Sequence, residues 1–113
     1  PLTEGTRGLI SAREFGLMKP TAFLVNTARG EVVDEPALIA ALHAGRIAGA
    51  GLDSFAEEPP IKSPLWELPN VLLTPHVAGV TEEARRAVSI MTAENVLAYL
   101  RGGQLAANLY ARA

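Results

Sequence analysis

The run Ile47-Ala-Gly-Ala-Gly-Leu-Asp-Ser-Phe55 is apolar and small without alternating in polarity. As a strand it has to be buried on both faces, which is the condition of parallel strands covered by helices. The residues ahead of it supply such a helix. Asp34 is a cap, Glu35 and Pro36 occupy a first turn where a missing amide hydrogen leaves no bond unmade, and Leu38, Ile39 and Leu42 recur at helical spacing. Gly45 closes the helix. Further back, Ala22-Phe-Leu-Val-Asn26 is a compact apolar strand between breakers. Strand, helix and strand within about thirty residues predict one right-handed βαβ unit.

Two more elements flank this unit. Ser11-Ala-Arg-Glu14 has the spacing of a capping box and predicts a short helix to about Met18, ended by Lys19-Pro20. The stretch from Pro1 to Leu9 is polar and turn-like. After the unit, 57–70 is a loop broken by Pro59, Pro60, Pro64 and Pro69, with Leu65, Trp66 and Leu68 expected to tuck against the body. Residues 71–74 form a third strand that stops at Pro75. Thr81 caps a last helix, with Glu82 and Glu83 suited to its positive end, running to about Leu100 and stopping at Gly102-Gly103. Its apolar residues spread over more than one stripe, so it asks for neighbours on two sides.

Composition narrows the function classes. The chain has 113 residues, 49% hydrophobic and 19% charged, and a formal net charge of −2. That charge offers no basic field for nucleic acid, and no apolar run approaches a membrane span. With no cysteine, a disulfide scaffold and cysteine metal sites are excluded, and a cytoplasmic setting is expected.

Each expected strand ends in a polar group that can do chemistry: Arg29 past the first, Asp53 and then Glu58 past the second, His76 past the third. In a parallel sheet those ends share one edge, where ligands bind. Arginine offers a planar fork to a carboxylate, histidine gives and takes a proton near neutrality, and a carboxylate on the imidazole fixes its tautomer. Each residue also has a plainer reading. Arg29 is then a surface charge, Glu57-Glu58 a solvated loop and His76 a hydrogen-bonded core residue. His43, within a helix, is assigned nothing. Gly45, Gly49 and Gly51 precede and enter a strand instead of leading into a helix, so they fail as a dinucleotide fingerprint.

Taken together, Leu24-Val-Asn-Thr-Ala-Arg-Gly30 with Val33-Asp-Glu35, Ala50-Gly-Leu-Asp53, Glu57-Glu-Pro59 and Leu73-Thr-Pro-His76 resemble the D-isomer-specific 2-hydroxyacid dehydrogenases, including phosphoglycerate dehydrogenases and glyoxylate/hydroxypyruvate reductases. The resemblance implies an α/β fold: the C-terminal half of a Rossmann-type doubly wound parallel sheet, three strands with helices, plus a long C-terminal helix. It implies that residues 1–79 belong to the NAD- or NADP-binding domain and 80–113 return towards a substrate domain. Arg29 would hold the substrate carboxylate, His76 would be the acid or base, and Glu58 its partner. Asp53 would face the nicotinamide carboxamide, with Thr27, Ala28 and the turn from His76 to Gly79 lining that pocket. The implied partner is a small 2-hydroxy or 2-oxo acid, with neither nucleic acid nor membrane, in a dimer. Ser54 departs from the aliphatic residue usual there. Because no G-x-G-x-x-G or ribose-binding acid is present, the chain is expected to be part of a longer enzyme, inactive and self-associating when isolated. A dehydrogenase-like binding module of the C-terminal-binding-protein corepressor type is the alternative. Formate dehydrogenase, which resembles the family but carries glutamine at the carboxylate position, is opposed by Glu58.

Overall fold

The computed structural model describes residues 1–103. In chain order it contains α1 (Ala12–Leu17), β1 (Phe23–Asn26), α2 (Glu35–His43), β2 (Gly49–Leu52), β3 (Val71–Leu73) and α3 (Glu82–Leu100), with single 3-10 turns at Gly30–Val32 and Pro64–Glu67. The sheet is parallel throughout, in the order β1-β2-β3. Leu24 lies opposite Ala50 and Asn26 opposite Leu52, while Ala50 and Leu52 face Val71 and Leu73. All three strands therefore end on one edge.

Local chemistry sets the helix boundaries. Asp34 accepts a hydrogen bond from the Ala37 amide at 3.0 Å, and Gly45, at φ +60°, takes the left-handed turn after the helix that an L side chain resists. At α1 the Glu14 carboxylate accepts from both the amide and the hydroxyl of Ser11, and this pair holds Glu14 below the usual carboxylate range. Thr81 caps α3 by accepting from Ala84.

The core joins Phe15 of α1, Leu38 and Leu42 of α2, Ala50 and Leu52 of β2, and Ile47, Phe55, Leu65 and Leu68 from the connections. Burying each large side chain is worth roughly 1.5–3 kcal/mol. This core takes one face of the sheet only. Phe23, Val25 and Leu72 alternate onto the other face and stay about 70% exposed.

Three expectations need correction. The strand predicted over 47–55 is shortened to 49–52, because the chain leaves the ladder to bury Asp53, Ser54 and Phe55 at its tip. Trp66 does not tuck in: Leu65 and Leu68 are buried beside it, but its ring is 61% exposed and its indole N–H donates to the Pro60 carbonyl. The proline-rich loop also holds one helical turn, capped by Ser63. The N-terminal stretch, read only as a loop, runs beside 30–34, with Gly8 and Ile10 donating to Glu31 and Val32 and Asp34 donating back to Ile10.

The chain divides into two compact units, the first from Pro1 to Ala78 and the second opening at Gly79. Within the second, α3 buries no residue. Among the described residues no helix is long and apolar enough to cross a membrane, and no cluster of side chains could hold a metal ion.

Candidate active site

Asn26, buried at the end of β1, shapes the first tip. Its side chain donates to the Arg29 carbonyl at 2.9 Å and accepts from the Ala28 amide at 3.1 Å, and its carbonyl accepts from the Asp53 amide. Such side-chain-to-backbone closure is the ordinary use of asparagine in a turn. It leaves Thr27, Ala28 and Arg29 exposed. Gly30 is needed for a different reason. A Cβ there would lie 1.8 Å from the Phe55 carbonyl carbon and 2.3 Å from the Ala56 amide, so only glycine lets the two strand tips touch.

Asp53 organises the third tip from the end of the second. It is 4% exposed. One carboxylate oxygen accepts from the Thr74 hydroxyl at 2.6 Å and the Val77 amide at 2.8 Å, and the other accepts from the Ala78 amide at 2.8 Å. The Thr74 hydrogen bond, helped by the two amides and the field of His76, outweighs burial and holds the Asp53 pKa below the ordinary aspartate value. Next to it, the buried hydroxyl of Ser54 has no partner among the described residues.

Between the residues that Asp53 grips stands His76, at φ +55°. A non-glycine residue in the left-handed region is uncommon and persists where its surroundings fix it. Its Nδ1 sits 2.9 and 3.1 Å from the two Glu58 oxygens. Glu58 also accepts from the Phe55 amide at 3.0 Å. The His76 hydrogen bond is the main reason the Glu58 pKa is lowered, followed by that amide, with the Arg29 charge a smaller contribution. An ionised carboxylate can only accept, so Nδ1 carries the hydrogen and Nε2 is the ring atom left for proton exchange.

Phe55, Glu58, Pro59, Pro60, Pro75 and His76 line a cleft of about 320 Å³ at this edge. Glu58 and His76 are thus brought together, and Asp53 lies directly behind the histidine turn. Arg29 is on the same sheet edge but makes its hydrogen bond to the Ala28 carbonyl, not to Glu58 or His76. Thr27 and Ala28 do not line the cleft, and Gly79 belongs to the second unit. Sequence reasoning missed Asn26, Thr74 and Gly30. The signal for them was their place in the runs Leu24–Gly30 and Leu73–His76, with Asn26 and Thr74 also at or next to a strand end. A half-exposed imidazole with one nitrogen on an ionised carboxylate, beside an apolar cleft, can donate and recover a proton.

Residues 1–78 match the family described as D-isomer specific 2-hydroxyacid dehydrogenase, NAD binding domain. Over 102 residues, 90% of this chain, the sequence is 54% identical to a glyoxylate reductase of Pyrococcus furiosus, covering 30% of that protein. It is 48% identical over 103 residues, again 90% of this chain, to glyoxylate/hydroxypyruvate reductase B of Yersinia enterocolitica, of which it covers 32%. Among solved structures, an NADPH-dependent glyoxylate/hydroxypyruvate reductase of Sinorhizobium meliloti, in complex with NADP and malonate, superposes with a TM-score of 0.87 at 37% identity, covering 100% of this chain and 37% of that one. A D-isomer specific 2-hydroxyacid dehydrogenase of Xanthobacter autotrophicus, in complex with NADPH and MES, gives 0.84 at 43% identity over 97% of this chain and 45% of that one. The chain spans about a third of the length of the curated relatives it matches.

Proposed function

Since this chain belongs to the D-isomer specific 2-hydroxyacid dehydrogenase family, we propose that it is part of a longer NAD- or NADP-dependent enzyme that interconverts a 2-oxoacid, such as glyoxylate or hydroxypyruvate, and its D-2-hydroxyacid. The observation that carries the reading is the Glu58–His76 pair at 2.9 Å, beside an apolar cleft at the carboxyl edge of a parallel sheet.

In this reading NAD(P)H supplies the hydride. The chain's own residues handle charge and proton. Arg29, exposed and with guanidinium donors to spare, binds the substrate carboxylate. His76, its Nδ1–H held by Glu58, donates the Nε2 proton to the carbonyl oxygen during reduction and takes it back during oxidation. Residues present fit a nicotinamide. Gly30 lets the first tip lie flush against Phe55, leaving exposed Thr27 and Ala28 to line the ring side with the turn from His76 to Ala78. Asp53 uses three of roughly four carboxylate lone-pair sites on the turn, and a carboxamide N–H would take the remaining one. The rest of the longer protein would cover the exposed sheet face, and a dimer is the proposed assembly.

The test is turnover of glyoxylate and hydroxypyruvate by the full-length protein, followed through nicotinamide absorbance. His76→Gln is expected to lower kcat about 10²–10⁴-fold, with cofactor affinity retained. Turnover that survives in His76→Gln removes the histidine from this role. A wild-type protein that binds NAD(P)H yet turns over neither acid favours a corepressor-like binding module.

A further inference from the structure

The segment 55–63 carries Glu58 to the cleft, and little in its own backbone can hold it there. Pro59 and Pro60 have no amide hydrogen, and the bonds Ile61 to Pro59, Ser63 to Pro60 and Trp66 to Pro60 all stay within the segment and the 3-10 turn after it. Beyond the core packing of Phe55 and the bond to His76, its hydrogen bonds to the rest of the unit, among the described residues, come from one residue. Glu35, in the first turn of α2, accepts from the Ser63 hydroxyl with one oxygen at 2.9 Å and from the Ala56 amide with the other at 3.4 Å. These two contacts bracket Glu58.

We propose that Glu35 is a positioning residue: its carboxylate clamps both ends of the Ala56–Ser63 loop to α2 and so keeps Glu58 in register with His76. The proposal rests on the dehydrogenase reading for its catalytic consequence, but not for its geometry. A first-turn glutamate has a competing explanation, because negative charge at a helix start is favourable wherever the side chain points. Glutamine separates the two. In Glu35→Gln the side-chain oxygen still accepts from the Ala56 amide, and the amide nitrogen donates to the Ser63 oxygen, whose hydroxyl can accept as well as donate. Clamping survives and the charge is lost.

The experiment compares Glu35→Ala, Glu35→Gln and Ser63→Ala in the full-length protein. Carbon-detected NMR follows the titration of the Glu58 carboxyl, and steady-state kinetics follow kcat and KM with glyoxylate. Glu35→Ala is expected to raise the Glu58 titration towards the ordinary glutamate value, since the lowering stems chiefly from the His76 bond and then the Phe55 amide. It should also reduce kcat about tenfold, with the KM for the nicotinamide cofactor unchanged within about twofold. Ser63→Ala, which leaves the α2 terminus intact, should do the same to a smaller degree, and Glu35→Gln should restore both readouts. A Glu58 titration that stays in place in Glu35→Ala overturns the proposal. If that variant does not fold, the same result in Ser63→Ala overturns it. Glu35→Gln behaving like Glu35→Ala also overturns it, in favour of a charge effect. A Glu58 titration that moves as expected in a protein whose wild type turns over neither glyoxylate nor hydroxypyruvate would leave the clamp standing and sink the dehydrogenase reading.

Discussion

Two segments of the first unit meet at the cleft, and they are held in opposite ways. The turn 74–78 brings His76 and is gripped by a single buried carboxylate that receives three hydrogen bonds of 2.6–2.8 Å. The loop 55–63 brings Glu58 and is mostly exposed, with its outer ties on a half-buried glutamate at 2.9 and 3.4 Å. Asp53 is buried and Glu35 only half-buried, so solvent competes more with the second set of bonds. The group that would carry the proton thus has a fixed backbone, even at a left-handed φ, whereas its carboxylate partner sits on a compliant support. A firmly held turn and a loosely tied loop would allow the pair to form in this unit while the loop adjusted to an occupant of the cleft.

The harshest way to break the comparison is Gly30→Ala. The added methyl would fall on backbone atoms of Phe55 and Ala56, which no side-chain rotation relieves. The root of the 55–63 loop has to move, while the bonds from Asp53 to 74–78 need not. Overpacking typically costs about 1–3 kcal/mol, and the upper end is expected here. Denaturant unfolding measures the loss. NMR shift changes confined to 26–30 and 53–63 would support the division, and equal changes across 74–78 would break it.

Asp53→Asn attacks the other side. The amide keeps one oxygen for Thr74 and Val77 but turns a donor towards the Ala78 amide, so one bond is lost and two donors face each other. Hydrogen exchange at Ala78 should quicken strongly, and at Ala56 hardly at all. The pH dependence follows from the sign of the shift. Asp53 has a lowered pKa in the folded state, so its contribution is fully present above the ordinary aspartate range and disappears as pH falls through the folded value. Asp53→Asn should therefore be less stable than wild type at neutral pH, and the gap should close in acid. Glu58 and Glu14 are lowered too, so some acid slope must persist in the variant. A gap independent of pH would mean that the Asp53 charge does not hold the turn.

The legible parts of this site were those whose cause is local in sequence. Asp34, Ser11 and Thr81 announce helices because a cap acts within three residues. The three tips, and so Arg29, Asp53 and His76, follow from short apolar runs that stop at polar residues. What stayed hidden depends on contacts between distant residues. Glu35 reads as helix-start charge, because its partners lie 21 and 28 residues on. The grip of Asp53 on 77 and 78 spans 24 and 25 residues, so the sequence could mark the aspartate as unusual without saying what it holds. Trp66 departs from the burial that its size and hydrophobicity imply because its N–H is tied to a carbonyl in an exposed loop.

That tryptophan gives the smallest and sharpest test of loop compliance. Trp66→Phe keeps most of the ring and removes only the 2.6 Å bond to the Pro60 carbonyl. Net hydrogen bonds are worth about 0.5–1.5 kcal/mol. At a residue 61% exposed, water replaces the lost partner on the carbonyl, so the low end, about 0.5 kcal/mol, is expected in denaturant unfolding. If the loop is compliant, the Glu58 titration should hardly move, because the Glu35 contacts remain. A loss above about 1.5 kcal/mol, with Glu58 displaced, would mean that Trp66 stiffens the loop from outside. The 55–63 segment would then be held as firmly as the turn beside it, and the contrast between the two would disappear.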